Sequence, residues 1–183
     1  MGLRLFAAAP IPDDIGVRLA ALMRGLPGAR WTPRENLHVT LRFFGELDEA
    51  VAEDLDGEID AAVSAMAPFQ VRLKGAGAFG GADPHSVWIG VEDDTGGLAR
   101  LADACERAAR RVGLKAEVRK FTPHVTLAKL RFGDLDRVMS FQARCALFES
   151  TALEIAGFGL YSSRVRPGAA SLYRLEAEYA LQG

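Results

Sequence analysis

The sequence predicts an α+β fold made of two intimately packed lobes. About eight short apolar or alternating runs indicate strands, and three longer amphipathic segments indicate helices. No linker rich in Gly, Ser or Pro divides the chain, and one four-residue word occurs twice, each time after a helix and a loop that contains proline. We therefore expect residues 1–183 to form a single bilobal domain.

Local signals define the elements of the first half. Pro10 and Pro12 end the first apolar run, and Asp13 and Asp14 can cap the helix that follows. Gly45 closes the second strand. The predicted order is a strand over Leu3–Ala9, a helix to about Met23, a strand over His38–Phe44, a helix over Asp48–Met66, a strand over Phe69–Leu73 and a glycine-rich turn over Gly75–Gly81.

The second half is defined in the same way. Cys105 lies among alanines of a predicted helix that stops at Gly113, and we expect this cysteine to be a small buried hydrophobe. A turn at Pro167-Gly168 is expected to join the last two strands. The predicted order is a strand over Ser86–Val91, a helix over Thr95–Val112, and strands over His124–Leu127, Phe141–Phe148, Ala152–Leu160 and Ser171–Leu181.

The composition restricts the classes of partner. A net charge of −2 predicts no broad basic surface, so a nucleic-acid substrate would be held locally by a few Arg or Lys side chains. Neither cysteine has a second ligand at zinc-binding spacing, which excludes a zinc finger. The N-terminus lacks the pattern of a signal peptide, and no apolar run approaches the length of a membrane span. We expect a cytoplasmic monomer without a membrane partner.

The recurring word is His-Val-Thr-Leu, at His38–Leu41 and again at His124–Leu127. The chain has 3 histidines, and two of them open this word. Because alternate side chains of a strand share a face, each copy presents an imidazole and a hydroxyl on one surface and two aliphatic side chains on the other. If the lobes face each other, two imidazoles and two hydroxyls meet in a cleft.

This set of groups suits in-line displacement at phosphorus. A neutral imidazole can take a proton from the attacking water while a protonated one gives a proton to the departing oxygen, and histidine provides both forms near neutral pH. The hydroxyls of Thr40 and Thr126 can donate to the non-bridging oxygens. Such chemistry calls for no metal and no cofactor.

Strand periodicity adds two residues to the cleft. Arg42 continues the alternation of His38 and Thr40, which predicts contact with a substrate phosphate. Phe44 would share that face and could stack on a base or belong to the core, whereas Phe43 is expected to pack inside. His85, which follows a proline at a turn, is expected at the surface.

Both words, with their surroundings, resemble the paired signature of the two-histidine phosphoesterases, and in particular the RNA 2′,3′-cyclic phosphodiesterases, historically described as 2′-5′ RNA ligases. The resemblance covers nearly the whole chain. It is carried by Arg4-Leu5-Phe6-Ala7 with Pro10 and Pro12, by Trp31, by Asn36–Glu46, by Phe121–Leu127 and by Leu160–Arg164.

The resemblance implies two lobes of antiparallel sheet with flanking helices, related by a pseudo-twofold axis around a central cleft. It also implies that a 2′,3′-cyclic phosphate is opened to a 2′-phosphate, with His38 as proton donor and His124 as proton acceptor. The sequence itself is nearly symmetric and does not distinguish these roles. Lys129 stands where the family commonly has arginine, which loses a bidentate contact, and Arg131 could compensate.

Alternative functions remain open at this stage. The same cleft could join RNA ends through a 2′-5′ bond without ATP. The chain has no Gly-rich phosphate loop and no lysine nucleophile motif, so ATP-dependent ligation is unsupported. It could also bind RNA ends or small cyclic-phosphate nucleotides without turnover. Loss of rate without loss of affinity on replacement of His38 or His124 would separate an enzyme from a binding module.

Overall fold

Strands and helices alternate along the part of the chain that the computed structural model describes, residues 2–166 and 170–183. Its strands are β1 (Leu3–Pro10), β2 (Arg30–Trp31), β3 (His38–Leu47), β4 (Phe69–Phe79), β5 (Ser86–Glu92), β6 (His124–Lys129), β7 (Leu153–Ile155), β8 (Gly157–Arg164) and β9 (Leu172–Ala180). Its α-helices are α1 (Asp13–Ala20), α2 (Glu49–Val63), α3 (Gly97–Arg111) and α4 (Leu135–Cys145).

The strand order is β7-β4-β5-β6-β3-β1-β8-β9, with the short β2 added beside β6, and neighbouring strands are antiparallel. The six central strands follow the order β4-β5-β6-β3-β1-β8. Exchanging β1 with β5, β3 with β6, and β4 with β8 gives the same order read from the opposite edge of the sheet. The chain order supports the same exchange, because β1-α1-β3-α2-β4 corresponds to β5-α3-β6-α4-β8. The predicted α+β fold with two pseudo-twofold-related halves is therefore confirmed.

The two halves join where β3 meets β6. Val39 and Val125 form an antiparallel pair there, and both side chains are fully buried. An antiparallel pair has a local twofold axis between its strands. This axis carries Val39 onto Val125, and with it one His-Val-Thr-Leu word onto the other.

The predicted strand over Phe141–Phe148 is wrong, because Leu135–Cys145 is the helix α4. Its buried residues are Val138, Phe141 and Cys145, at the spacing of three and four that one helix face requires. The side chain of Asp134 accepts a hydrogen bond from the backbone N–H of Arg137 and caps the first turn.

The predicted glycine-rich turn over Gly75–Gly81 is also wrong in its position. β4 continues to Phe79, and the turn follows it, where the N–H of Asp83 donates to the carbonyl of Gly80. Glycine is tolerated in this strand because Gly77 lies opposite Trp88, whose indole covers it.

Several predicted boundaries also change. α1 ends at Ala20, and its N-cap is Pro12, without a side-chain cap from either aspartate. The apolar run over Ala152–Leu160 divides into β7 and the first part of β8. The predicted turn at Pro167-Gly168 lies outside the described residues.

Two further observations concern the described residues. Cys105 and Cys145 are both buried free thiols, as expected for Cys105. None of the described helices combines the length and the apolar character that crossing a bilayer requires.

Candidate active site

A cleft of about 1000 Å³ opens over the junction of β3 and β6. His38, Thr40, His124 and Thr126 all line it. Behind them Val39, Leu41, Val125 and Leu127 are buried in the core. The structure thus brings together the two imidazoles and two hydroxyls that strand periodicity predicts.

The strand register fixes how these four side chains are arranged. Because Val39 pairs with Val125, continuing the antiparallel register places His38 opposite Thr126 and Thr40 opposite His124. The two histidines are then diagonal neighbours, with backbones roughly 7–8 Å apart. A small group on the local twofold axis would have one imidazole on each side.

His38 is held by its own loop and strand. Its Nδ1 lies 2.7 Å from the carbonyl oxygen of Asn36, and its Nε2 lies 3.0 Å from Oγ1 of Thr40. A carbonyl can only accept, so Nδ1–H donates and fixes the tautomer. In the neutral ring, Nε2 is left with its lone pair toward Thr40 and the cleft.

His124 repeats this arrangement in the other half. Its Nδ1 lies 2.6 Å from the carbonyl oxygen of Thr122, so Nδ1–H donates there as well. Within the described residues its Nε2 has no hydrogen-bond partner, in contrast to that of His38. A neutral His124 therefore presents an unengaged basic nitrogen to the cleft.

Burial lowers the pKa of both imidazoles below the ordinary value of 6.5. For His38, the hydrogen bond to the Asn36 carbonyl opposes this decrease in pKa, and the nearby charges of His124 and Lys129 add to it. For His124, the hydrogen bond to the Thr122 carbonyl opposes the decrease. The unprotonated form of each ring is thus favoured in the free protein.

Two aromatic rings flank each histidine. The ring centroids of Phe6 and Tyr173 lie 5.2 and 5.6 Å from that of His38. Sequence reasoning missed these rings as site residues, although the period of β1 would have put Phe6 on one face with Arg4.

The corresponding pair at His124 is Phe79 and Trp88, with centroid distances of 4.9 and 5.6 Å. Trp88 belongs to an apolar strand but is only partly buried. Its indole Nε1 is buried, and among the described residues it has no hydrogen-bond partner. The indole thus supports the His124 ring by packing, and β5 and the end of β4 supply this side of the site.

Replacing Gly77 with alanine should disturb His124 through Trp88. The added methyl would overlap the six-membered ring of Trp88, so the indole must move. We expect the free energy of unfolding to fall by about 1–3 kcal/mol, the usual cost of overpacking, and the NMR resonances of the His124 ring to shift. Chemical denaturation and histidine NMR measure both effects.

Gly57→Ala provides the matched control. Gly57 lies on the exposed side of α2, and among the described residues no atom beyond its own helix backbone and chain neighbours lies within 4 Å of the position its Cβ would take. It should leave the His124 resonances in place. Unchanged His124 signals in Gly77→Ala would contradict the supporting role of Trp88.

The predicted phosphate contact of Arg42 is corrected by its surroundings. Its side chain is 10% exposed, and each guanidinium nitrogen has an internal acceptor. Nε donates to Glu106 (2.6 Å), Nη1 to the carbonyl of Phe43 (2.6 Å) and Nη2 to the carbonyl of Lys115 (2.8 Å). Arg42 borders the cleft, but its donors connect β3 to α3 and to the loop before His124.

The predicted cleft position of Phe44 is wrong, and Phe43 takes that place. The pairing of β1 with β3 shifts between Ala7 and Ala8, so β3 has a bulge at Leu41, ahead of Phe43 and Phe44. The bulge interrupts the alternation and turns Phe44 into the core, where it is 9% exposed. Phe43 lines the cleft, with the guanidinium of Arg4 5.0 Å above its ring.

The remaining predicted residues lie near the end of β6. Lys129 is exposed and lines the cleft. Arg131 does not line it and lies over the ring of Phe132 at 5.8 Å. His85 is exposed, as predicted, and stands at the cleft mouth.

Sequence reasoning also missed the loop between α3 and β6, which forms one wall of the cleft. Glu117, Arg119, Lys120 and Phe121 line it there. Hydrogen bonds from Arg119, together with the charge of Arg42, lower the pKa of Glu117 to about 2, so this carboxylate is ionised at neutral pH. The loop has no periodicity that could have placed it.

The described part of the chain has no evident set of metal-binding side chains. No group of three or more His, Cys, Asp or Glu side chains there is arranged to hold a metal ion. Two of the acidic residues that line the cleft pair with arginines, Glu106 with Arg42 and Glu117 with Arg119.

Comparison with solved structures identifies the same fold in other proteins. The structure of E. coli LigT complexed with 3′-AMP aligns over 100% of both chains with a TM-score of 0.82 and 23% identity. A structure from Thermus thermophilus aligns over 99% of both chains, with a TM-score of 0.82 and 24% identity. At these identities the likeness establishes the fold.

Sequence comparison gives the family. An Aeropyrum pernix protein named RNA 2′,3′-cyclic phosphodiesterase is 43% identical over 98 residues, which are 53% of this chain and 54% of that protein. A Thermus thermophilus protein of the same name is 28% identical over 190 aligned residues, covering 99% of this chain and 91% of that protein. The family model of the 2′-5′ RNA ligase superfamily matches residues 11–135, which include both histidine words. The chain belongs to the 2′-5′ RNA ligase superfamily.

Proposed function

We propose that this protein hydrolyses the 2′,3′-cyclic phosphate ends of RNA or nucleotides to 2′-phosphates, using its two histidines as acid and base. The observation that carries the proposal is the Val39–Val125 pair, which sets His38 and His124 on opposite sides of one axis. The names of the curated relatives and the superfamily match support the same chemistry.

The chemistry needs two proton transfers on opposite sides of phosphorus. Water forms a bond to phosphorus as the bond from phosphorus to the ribose 3′-oxygen breaks. The base takes a proton from the water, and the acid gives a proton to the 3′-oxygen, so both charges are balanced within the step. Two imidazoles on opposite sides of a bound phosphate match this requirement, and solvent restores their protonation afterwards.

His124 is the base and His38 the acid in this proposal. His124 has an unengaged Nε2 among the described residues, as a base that receives a proton from water requires. The 3′-oxygen belongs to the ribose, so the nucleoside lies on the side of the acid. Phe6, Phe43 and Tyr173 form an aromatic wall on that side, around His38.

Two threonine hydroxyls and one lysine can stabilise the negative charge of the bound phosphate. Thr126 lies opposite His38 across the strands and can donate to a non-bridging oxygen. Thr40 does the same once its bond to Nε2 of His38 is exchanged for substrate. Lys129 adds a positive charge close enough to affect His38.

A single assay tests the proposal. The protein is incubated, with EDTA present, with a short RNA that ends in a 2′,3′-cyclic phosphate, and the product is identified by mass and by the position of its phosphate. We expect a 2′-phosphate. A wild-type protein that binds this RNA without converting it would overturn the hydrolase proposal and favour a binding module.

The catalytic efficiency of the protein should be highest at acidic pH. The reacting enzyme needs protonated His38 and neutral His124, and burial lowers the pKa of both below 6.5. We therefore expect kcat/KM, which reports the free enzyme, to follow a bell with its maximum below pH 6.5. The limbs of kcat should lie at higher pH, since a bound phosphate anion raises both pKa values. Steady-state rates from about pH 4 to 9 measure both profiles; a kcat/KM maximum above about pH 7 would contradict the shifts.

A further inference from the structure

We infer that Arg4 binds the phosphate on the 5′ side of the terminal nucleoside. The protein would then select cyclic phosphates carried by nucleotides or RNA chains over those carried by bare nucleosides. This inference rests on the proposed function, and in particular on His38 as the acid. It adds a second phosphate site to the cleft and names the class of substrate.

The direction of the substrate follows from the proton donor. The cyclic phosphate is attached to the ribose through the 2′- and 3′-oxygens, and the departing 3′-oxygen faces His38. The sugar and everything attached to its 5′ carbon therefore extend from His38 over β1 and the hairpin formed by β8 and β9. Ser163 and Tyr173 line this part of the cleft.

Among the described residues that line the cleft, Arg4 is a cation at that end. It shares β1 with Phe6, and both residues line the cleft. Two residues of strand separate their backbones by about 7 Å, while the ring of Phe6 lies 5.2 Å from that of His38. Arg4 is thus displaced from the acid by the length of about one nucleoside, in the direction of the 5′ carbon.

The guanidinium of Arg4 is also available. It lies 5.0 Å above the ring of Phe43, and stacking on a ring leaves the N–H groups at its edge free to donate to phosphate. Within the described residues it forms no ion pair, not even with Glu46, its cross-strand neighbour. Arg42 and Arg119, the other arginines of the cleft, are paired with carboxylates.

The pseudo-twofold axis shows that the two ends of the cleft differ. Phe43 pairs with Phe6 in one half, and Lys129 pairs with Ser86 in the other, at corresponding positions of the two sheets. At this position the half of His38 therefore has an aromatic ring with a guanidinium above it, and the half of His124 has the ammonium of Lys129. The first suits a nucleoside followed by a phosphate, and the second suits the non-bridging oxygens alone.

Two small substrates that differ in one group test the inference. They are adenosine 2′,3′-cyclic phosphate and its 5′-phosphorylated form, and the quantity measured is the ratio of their kcat/KM values. For the wild-type protein we expect the 5′-phosphate to raise kcat/KM about tenfold or more, the usual effect of a charge-assisted hydrogen bond. Arg4→Gln should bring the ratio close to one, and Arg4→Lys should retain part of it. Arg110→Gln, at an exposed arginine of α3 outside the cleft, is the control with the same change of charge.

The outcomes separate this inference from the proposed function. Equal turnover of both substrates by the wild-type protein overturns the Arg4 site and leaves the hydrolase proposal standing. A 5′-phosphate preference that survives in Arg4→Gln assigns it to another residue and also overturns the site. No turnover of either substrate, or of a cyclic-phosphate RNA, overturns the hydrolase proposal itself. The wild-type comparison decides the first point even if the Arg4 variants do not fold.

Discussion

Replacing His124 with alanine should lower kcat by about 10²- to 10⁴-fold, the usual contribution of a positioned general base. The ring is half-buried against Phe79 and Trp88, and its Nδ1 is already fixed by the carbonyl of Thr122. Its removal takes away the proton acceptor but leaves the strand pair beneath it. His38→Ala should lose a similar factor, because the 3′-oxygen would then leave unprotonated.

The pH profile distinguishes the two losses from simple misfolding. Residual activity in His124→Ala should lose the acidic limb, which reports deprotonation of the base, and His38→Ala should lose the alkaline limb. His85→Ala is the matched control, since His85 is the third histidine and stands exposed at the cleft mouth. We expect its kcat within about threefold of the wild-type value. An unchanged rate in His124→Ala or His38→Ala would remove the acid–base mechanism.

The core of the site could be predicted because it depends on local rules. Strand periodicity is enough to put His38 with Thr40, and His124 with Thr126, on one face. The repeated word then indicates that the two faces belong together. Their convergence depends on a single long-range pair, Val39 with Val125, which no local pattern specifies.

The wrong predictions for Phe44 and for the Phe141–Phe148 segment have physical explanations in the structure. Phe44 would face the cleft if β3 kept its period, but the bulge at Leu41 shifts the alternation by one residue, and a bulge depends on the partner strand. The apolar residues near Phe141 fit a strand or a helix, and the cap at Asp134 and packing of Val138 and Cys145 favour the helix. A short apolar run does not resolve these two possibilities by itself.

Arg42 shows the same limit for charged residues. The period of β3 predicts that Arg42 faces the cleft, which it does border, and an arginine there suggests phosphate binding. Its acceptors come from α3 and from the loop at residues 115–119, far away in the sequence. These partners change a predicted substrate contact into a connection between β3 and the segment that leads to His124.

Arg42→Met should therefore destabilise the protein strongly. The replacement retains much of the side-chain volume but leaves the carboxylate of Glu106 without its partner at 2.6 Å, in a site where Arg42 is 10% and Glu106 25% exposed. Breaking one member of a buried ion pair typically costs about 3–5 kcal/mol. We expect the free energy of unfolding to fall by about that amount, as measured by chemical denaturation at neutral pH.

A double replacement shows whether the unpaired charge is the cause. In Arg42→Met/Glu106→Gln the carboxylate of Glu106 is replaced by a neutral amide, so a substantial part of the lost stability should return. The effects of the two changes on the free energy of unfolding should be strongly non-additive.

Arg72→Met is the matched control. Arg72 pairs with Glu149 at 3.4 Å while both side chains are about half exposed, and such surface pairs contribute about 1 kcal/mol or less. Equal losses of stability in Arg42→Met and Arg72→Met would show that burial of the Arg42 pair has no special weight. A large loss at Arg42 that Glu106→Gln relieves would instead show that the cleft wall beside His124 is held in place by this ion pair, because the same guanidinium also donates to the carbonyl of Lys115 in that wall.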